Sequence, residues 1–263
     1  MADSDNGDFF LAQGVNPSVR RLYIGPSKYP NSGTLRKVIN MISTQKITYT
    51  IRRKLICLYA QFLLNMDVFW QAHLPAGPKL IVANHPSTTD PFYLLTLFPQ
   101  PLSMMIIEHA FKTPLFGGIL RLSGHIPVLS ADRHAAFDAA HQHLVDGRSV
   151  AIFPEGDLSP RLGGSLPARS GAARLALMTG APVIPIGIYF QRERARALIS
   201  KFKGKSETGY WYLRGPYGVT IGEPMRFEGN SDDRPHVNSI SRIIMDAINS
   251  LALASQRRLE IIT

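Results

Sequence analysis

A histidine and an aspartate five residues apart stand where an apolar run ends. Lys79-Leu80-Ile81-Val82-Ala83 leads into Asn84-His85-Pro86-Ser87-Thr88-Thr89-Asp90. A neutral imidazole held by a carboxylate on one ring nitrogen takes a hydroxyl's proton with the other, and the hydroxyl becomes a nucleophile. Such general-base help is worth about 10² to 10⁴ in rate. The spacing alone is weak evidence, because His141 and Asp146 repeat it. That second pair falls in a predicted helix over 132–145 ending at Gly147, where positions five apart face different sides, and we read it as solvated.

The elements that must position the first pair follow from hydrophobic pattern. Residues 79–83 form a short β-branched run after Pro78, which predicts a buried strand and puts His85 in the loop beyond it. Asp90 precedes Pro91, and 92–98 has helical apolar spacing, so the aspartate lies near a helix start and folds back toward the imidazole. In open α/β sheets, ligands gather beyond the carboxyl ends of strands. A second predicted strand, 149–153, runs into Phe153-Pro154-Glu155-Gly156-Asp157 and so delivers another carboxylate to the same kind of place. A helix over 171–179 stopped by Gly180 leads to a third strand over 181–188.

These blocks, in this order, resemble the glycerolipid acyltransferase family, which includes 1-acylglycerol-3-phosphate and glycerol-3-phosphate acyltransferases. The family shares Asn-His-x4-Asp, Phe-Pro-Glu-Gly-Thr-Arg and Val-Pro-x-x-Pro blocks. Here 84–90 matches the first in full, 153–156 most of the second and 181–186 the third, and 111–118 and 171–176 look like connecting segments. The likeness covers roughly 79–224. It implies that His85 is a general base and Asp90 its orienting partner. It also implies that Glu155 and Gly156 form part of an acceptor site, in which we include Asn84, Arg133, Phe153, Pro154 and Asp157. The implied reaction moves an acyl group from a thioester, on coenzyme A or an acyl carrier protein, to a lipid hydroxyl. No metal or redox cofactor is implied.

Departures from the pattern bear on the acceptor. Asp157-Leu158 replaces Thr-Arg, which removes a guanidinium suited to clamping phosphate. Ile107 stands where relatives with phosphate acceptors often carry lysine, and Leu129-Ser130-Ala131-Asp132 delays Arg133 after 124–128. Either the acceptor carries less negative charge than a lysophosphatidate, or its phosphate meets other cations such as Arg161 or Arg169. Two rivals remain: a thioesterase or lipid hydrolase, for which no Gly-x-Ser-x-Gly elbow is found, and a lipid-binding pseudoenzyme.

At 263 residues and 45% apolar, the chain can bury a sizeable α/β core, and no 20–50-residue period suggests a solenoid. We predict a central mixed, largely parallel sheet flanked by helices. The basic patch Arg192, Arg194, Arg196, Lys201, Lys203 and Lys205 is read as a helix face or an anionic-partner surface. Residues 208–213 and 217–221 flank Gly215-Pro216 as a hairpin or adjacent strands, and a helix over 237–254 closes the chain. Lone Cys57 excludes an internal disulfide and cysteine metal clusters, and His141 and His143, two apart on a helix, do not face one metal.

Charge is unevenly placed within the net +10. Residues 20–57 hold Arg20, Arg21, Lys28, Arg36, Lys37, Lys46, Arg52, Arg53 and Lys54 with no carboxylate. Beyond them Leu55, Ile56, Leu58, Tyr59, Phe62, Leu63, Met66, Phe69 and Trp70 recur at helical spacing, while Gln61 and Asp67 break any span-length run. This predicts a loosely ordered 1–33, a two-helix membrane-contacting segment over 34–70 and an acyltransferase domain over 71–263. With no secretory signal, the expected location is the cytoplasmic face of a membrane, peripheral or monotopic. Nucleic acid is excluded as a partner by the lack of any binding motif beside the charge.

Overall fold

The computed structural model describes residues 32–112, 116–129, 131–202 and 205–262. Expectations for most of 1–33, with Arg20, Arg21 and Lys28, and for Lys203 lie outside them, as do the side chains of Arg36, Lys37, Lys46, Lys201 and Lys205. The chain forms two compact units, Met1–Ser43 and Thr44–Thr263. The described part of the first, 32–43, is helical.

In the second unit a seven-stranded sheet has the order β1-β9-β6-β2-β5-β3-β4. These strands are β1 (Leu64–Trp70), β2 (Leu80–Ala83), β3 (Leu102–Ile107), β4 (Ile126–Val128), β5 (Ser149–Ile152), β6 (Val183–Tyr189) and β9 (Gly215–Ile221). The block β6-β2-β5-β3-β4 is parallel throughout, whereas β9 pairs antiparallel to β6 and parallel to β1. The sheet is therefore mixed and largely parallel, as predicted. The helices are α1 (Ser32–Leu63), α2 (Asp90–Leu97), α3 (Phe116–Leu122), α4 (Arg133–Val145), α5 (Gly171–Thr179) and α6 (Arg234–Ile262).

Strand β2 shows why these runs become strands. Successive side chains alternate across a sheet, so Ile81 and Ala83 join one core with Tyr93 and Leu94 of α2, while Leu80 and Val82 join another with α4, α5 and α6. All four are within 1% of complete burial, as a parallel strand covered on both faces requires. Helix α6 lies so close to β6 that a Cβ on Gly187 would sit 2.0 Å from the backbone nitrogen of Ala252.

The expected second N-terminal helix is not there. One helix, α1, ends at Leu63, and Leu64–Trp70 is a strand laid along β9 in continuous register from Leu64 with Gly215 to Trp70 with Ile221. Asp67 ion-pairs with Arg258 of α6 at 2.6 Å. Pairing with a distant strand outweighs the local helical period, because Val68, Phe69 and Trp70 suit a pleated surface equally well. The basic patch is also not helical. Arg192 and Arg194 lie in a short turn, Arg196 and Lys201 in β7 (Arg196–Phe202) and Lys205 in β8 (Lys205–Trp211), and the two strands pair antiparallel in a separate two-stranded sheet. Strands β8 and β9 therefore do not form the hairpin considered for them.

His125, just before β4, is partly buried and accepts a hydrogen bond from the Met104 backbone N–H on Nδ1 at 3.2 Å. Burial, aided by Arg52 and Arg148, pushes its pKa down from 6.5 to about 4. The unfolded chain thus takes up this proton first as pH falls. Stability is full above about pH 6.5 and declines toward pH 4, by an amount on the order of 3 kcal/mol. Urea titrations across that window should show the decline in the wild type and a flatter profile in His125→Gln; equal slopes would remove His125 as its cause.

Candidate active site

The site lies beyond the carboxyl end of β2, between the ends of β5 and β6. Asn84 pins the turn there: its side-chain amide donates to the Ile188 carbonyl at 2.8 Å, and its Oδ1 accepts the Ile188 N–H at 2.7 Å. Asn84 is 4% exposed with its amide spent on β6. Its polar atoms anchor the turn to β6.

The two residues of the first block meet. His85 Nδ1 lies 3.1 Å from Asp90 Oδ2, and the histidine side chain keeps 17% exposure while the aspartate has none. The same Oδ2 accepts the Ser87 N–H at 2.7 Å. Oδ1 accepts the Ser87 hydroxyl at 2.8 Å and the Tyr217 hydroxyl at 2.8 Å. Burial, with the Asp90 carboxylate beside it, raises the Tyr217 phenol well above its ordinary pKa, so it remains a donor. Four donor contacts thus fix the carboxylate, and the carboxylate fixes the ring.

The other face of the ring rests on Phe153, with centroids 3.9 Å apart and planes 14° from parallel. Phe153 directly follows β5, so neighbouring parallel strands deliver the histidine and its platform. The His85 backbone N–H donates to Glu155 Oε1 and to Ser159 Oγ, both at 3.1 Å, and the His85 carbonyl accepts the Ser159 N–H at 2.8 Å. Glu155 also accepts the Ser159 hydroxyl on Oε1 at 2.5 Å and the Leu166 N–H on Oε2 at 2.7 Å.

With both oxygens engaged and 2% exposure, Glu155 braces the loop that carries His85. A carboxylate facing three protein donors is satisfied without a ligand.

Pro154 is buried, and its carbonyl accepts the Arg169 N–H at 2.8 Å. Gly156 is exposed with φ +68°, and a Cβ there would lie 2.3 Å from Arg169 Nε. Asp157 is exposed, and its Oδ1 accepts the Leu158 N–H at 2.8 Å. Arg133 is not brought to this cluster. It is exposed at the start of α4 and follows β4, which lies three strands from β2, about 14 Å in the hydrogen-bonding direction.

Several participants had no sequence signal. Tyr217 reaches Asp90 from 127 residues away. Tyr210 and Tyr212 close the turn from the side, their carbonyls accepting the Thr88 N–H at 2.8 Å and the hydroxyls of Thr89 and Tyr93 at 3.1 and 2.6 Å. Ser87 lies inside the first motif block and Ser159 just after the second, where spacing gives their hydroxyls no role. His143, considered for metal binding, instead hydrogen-bonds through Nδ1 to Ser103 Oγ at 2.9 Å. A cavity of about 340 Å³ between α1, β1 and α2 and another of about 460 Å³ beside α6 do not include His85.

The arrangement can take a proton from a hydroxyl. A family model described as Acyltransferase matches residues 66–189. The 1-acyl-sn-glycerol-3-phosphate acyltransferase of Pseudomonas aeruginosa is 29% identical over 170 residues, 63% of this chain and 61% of that protein. The enzyme of that name from Saccharomyces cerevisiae is 29% identical over 128 residues, 47% of this chain and 42% of its own length. A chloroplastic one from Brassica napus is 34% identical over 127 residues, 46% and 36%. The chain therefore spans less than two thirds of these relatives.

The crystal structure of the 1-acyl-sn-glycerophosphate (LPA) acyltransferase PlsC from Thermotoga maritima shares the fold, with a TM-score of 0.56, 19% identity and 82% of each chain covered. Residues 66–189 thus match the Acyltransferase family model, and the chain is similar in sequence to 1-acyl-sn-glycerol-3-phosphate acyltransferases.

Proposed function

We propose that this chain moves a fatty acyl group from a thioester donor, on coenzyme A or an acyl carrier protein, to a hydroxyl of a glycerolipid or lyso-lipid acceptor. The observation that carries the reading is the 3.1 Å contact of His85 Nδ1 with a fully buried Asp90. With Nδ1 committed to the carboxylate, Nε2 accepts the acceptor's hydroxyl proton. The hydroxyl oxygen bonds to the thioester carbonyl carbon, the carbon–sulfur bond breaks as the tetrahedral intermediate collapses, and the departing thiolate takes the proton back from His85. Protons and electrons balance without a metal or redox cofactor.

The test is mass-spectrometric product analysis with both donor classes, offered lysophosphatidate and an uncharged monoacylglycerol. Acylated lipid is expected; free fatty acid as the main product would make the chain a hydrolase.

A lipid surface is the partner we assign to α1. Ile47, Ile51, Leu55, Leu58 and Phe62 are 50–78% exposed, and at 3.6 residues per turn they fall within about 80° of arc. The inward face is fixed: the Tyr49 hydroxyl donates to the Phe98 carbonyl at 3.0 Å, Arg53 Nη2 to that of Thr96 at 2.8 Å, and Tyr59 stacks on Tyr93. The Tyr59 hydroxyl donates to the Leu213 carbonyl, next to the segment that closes the His85 turn. Among the described residues no helix is long and apolar enough to cross a membrane, so contact is along the surface.

Each such side chain contributes about 1.5–3 kcal/mol when buried. Replacing Leu55, Leu58 and Phe62 together by Ser should weaken sedimentation with anionic vesicles at least about tenfold. Unchanged sedimentation would remove the stripe from this role.

A further inference from the structure

The ribbon of β7 and β8 is a sheet of its own, and part of what it shows to solvent is apolar. Ala197, Leu198 and Ile199 follow one another in β7 and all are exposed, Leu198 at 52% and Ile199 at 70%. Such a run on a surface calls for something to cover it. A two-stranded ribbon is also marginal in water by itself.

The base of the ribbon stands against the turn that carries His85. The Thr88 N–H, between His85 and Asp90, donates to the Tyr210 carbonyl of β8 at 2.8 Å, and a Cβ on Gly209 would lie 2.9 Å from Thr88 Oγ1. Arg161 sits over the Tyr210 ring at 4.7 Å, and Leu162 next to it is fully exposed. On another side, the Tyr59 hydroxyl of α1 donates to the Leu213 carbonyl, two residues past β8. Whatever covers the ribbon therefore comes close to the His85 turn.

Charge and strand geometry identify that partner. Residues 196–206 hold Arg196, Lys201, Lys203 and Lys205 and no carboxylate, so the partner is anionic. Leu198 and Ile199 are adjacent in a strand and face opposite sides of the ribbon. The face of a folded acidic protein would cover one of them and leave the other wet. A fluid lipid interface takes up both, and its phosphates meet the basic residues of the same ribbon.

We infer that the β7–β8 ribbon seats in an anionic lipid surface, a second contact beyond the α1 stripe that brings the surface to the turn carrying His85. It requires no turnover. The test is a polarity-sensitive fluorophore on Ile199→Cys, in a Cys57→Ser chain so that no other thiol reacts. Its emission should shift to the blue with vesicles of phosphatidylcholine and phosphatidylglycerol, and not with phosphatidylcholine alone. The same label on Val145→Cys should not respond, because Val145 is exposed at the end of α4 that leads into the start of β5, at the opposite end of the sheet. Replacing Leu198 and Ile199 together by Ser should lower sedimentation with the anionic vesicles at least about tenfold. The label reads the contact even where that double substitution lowers the melting temperature.

An unmoved label at position 199, or an equal shift with neutral vesicles, overturns the inference. A shift given by an acidic acyl carrier protein without lipid, and not by anionic vesicles, also overturns it and makes the ribbon a protein-docking surface. No shift at position 199 in a chain that still sediments defeats this contact and leaves the α1 stripe standing. A shift at position 199 in a chain that forms no acylated lipid defeats the transfer reading alone.

Discussion

Asp90→Asn should lower kcat by about 10² to 10⁴ while leaving KM and the melting temperature nearly unchanged. The geometry makes this substitution selective. Oδ2 receives two N–H groups, from His85 and Ser87, so the amide oxygen must take that position and the NH₂ must take the place of Oδ1. There it meets the hydroxyls of Ser87 and Tyr217, which can each turn to accept. The ring keeps its orientation and its tautomer. What is lost is the negative charge beside an imidazole that becomes cationic during proton transfer. Steady-state kinetics read the outcome: a raised KM with unchanged kcat would assign Asp90 to substrate binding.

Glu155→Ala should cost more in stability than any exposed substitution, on the order of 3–5 kcal/mol. It orphans the Leu166 N–H and the Ser159 hydroxyl together and leaves the His85 N–H with Ser159 Oγ alone, and an unsatisfied buried donor costs about 1–3 kcal/mol. Activity should fall in parallel, since a displacement of about 1 Å at the reacting group costs about 10²-fold. Glu155→Gln separates charge from contact. Its amide nitrogen at the Oε2 position would face the Leu166 N–H, so a smaller loss, about 1–3 kcal/mol, is expected. Denaturant unfolding of the two variants measures both, and a wild-type midpoint in Glu155→Ala would show that the brace carries no weight.

Strands β2, β5 and β6 were legible because each is an apolar run buried on both faces and bounded by proline, glycine or polar residues. Their carboxyl ends fixed where His85 and Glu155 lie. Strand β1 was not legible. The stretch from Leu55 to Trp70 keeps one helical period, and only pairing with residues 215–221 turns its second half into a strand. The same limit hid Tyr217, whose place depends on which strands become neighbours.

Burial and pairing add to the motif residues what spacing does not carry. Spacing could not reveal that Asn84 and Glu155 spend their polar atoms on the protein itself, or that β4 carries Arg133 to the far edge. Among the described residues of α1 the exposed stripe reaches back to Ile47, earlier than the apolar period suggested, while Ile56 and Tyr59 turn inward.

The most direct test of the central claim is the rate of acylated-lipid formation by His85→Ala, beside the wild type, with matched melting temperatures and saturating thioester and acceptor. Loss of the general base should leave at most about one hundredth of the wild-type rate. A variant that still forms acylated lipid at a rate close to wild type would contradict the account, because the proton would then leave the hydroxyl by another route.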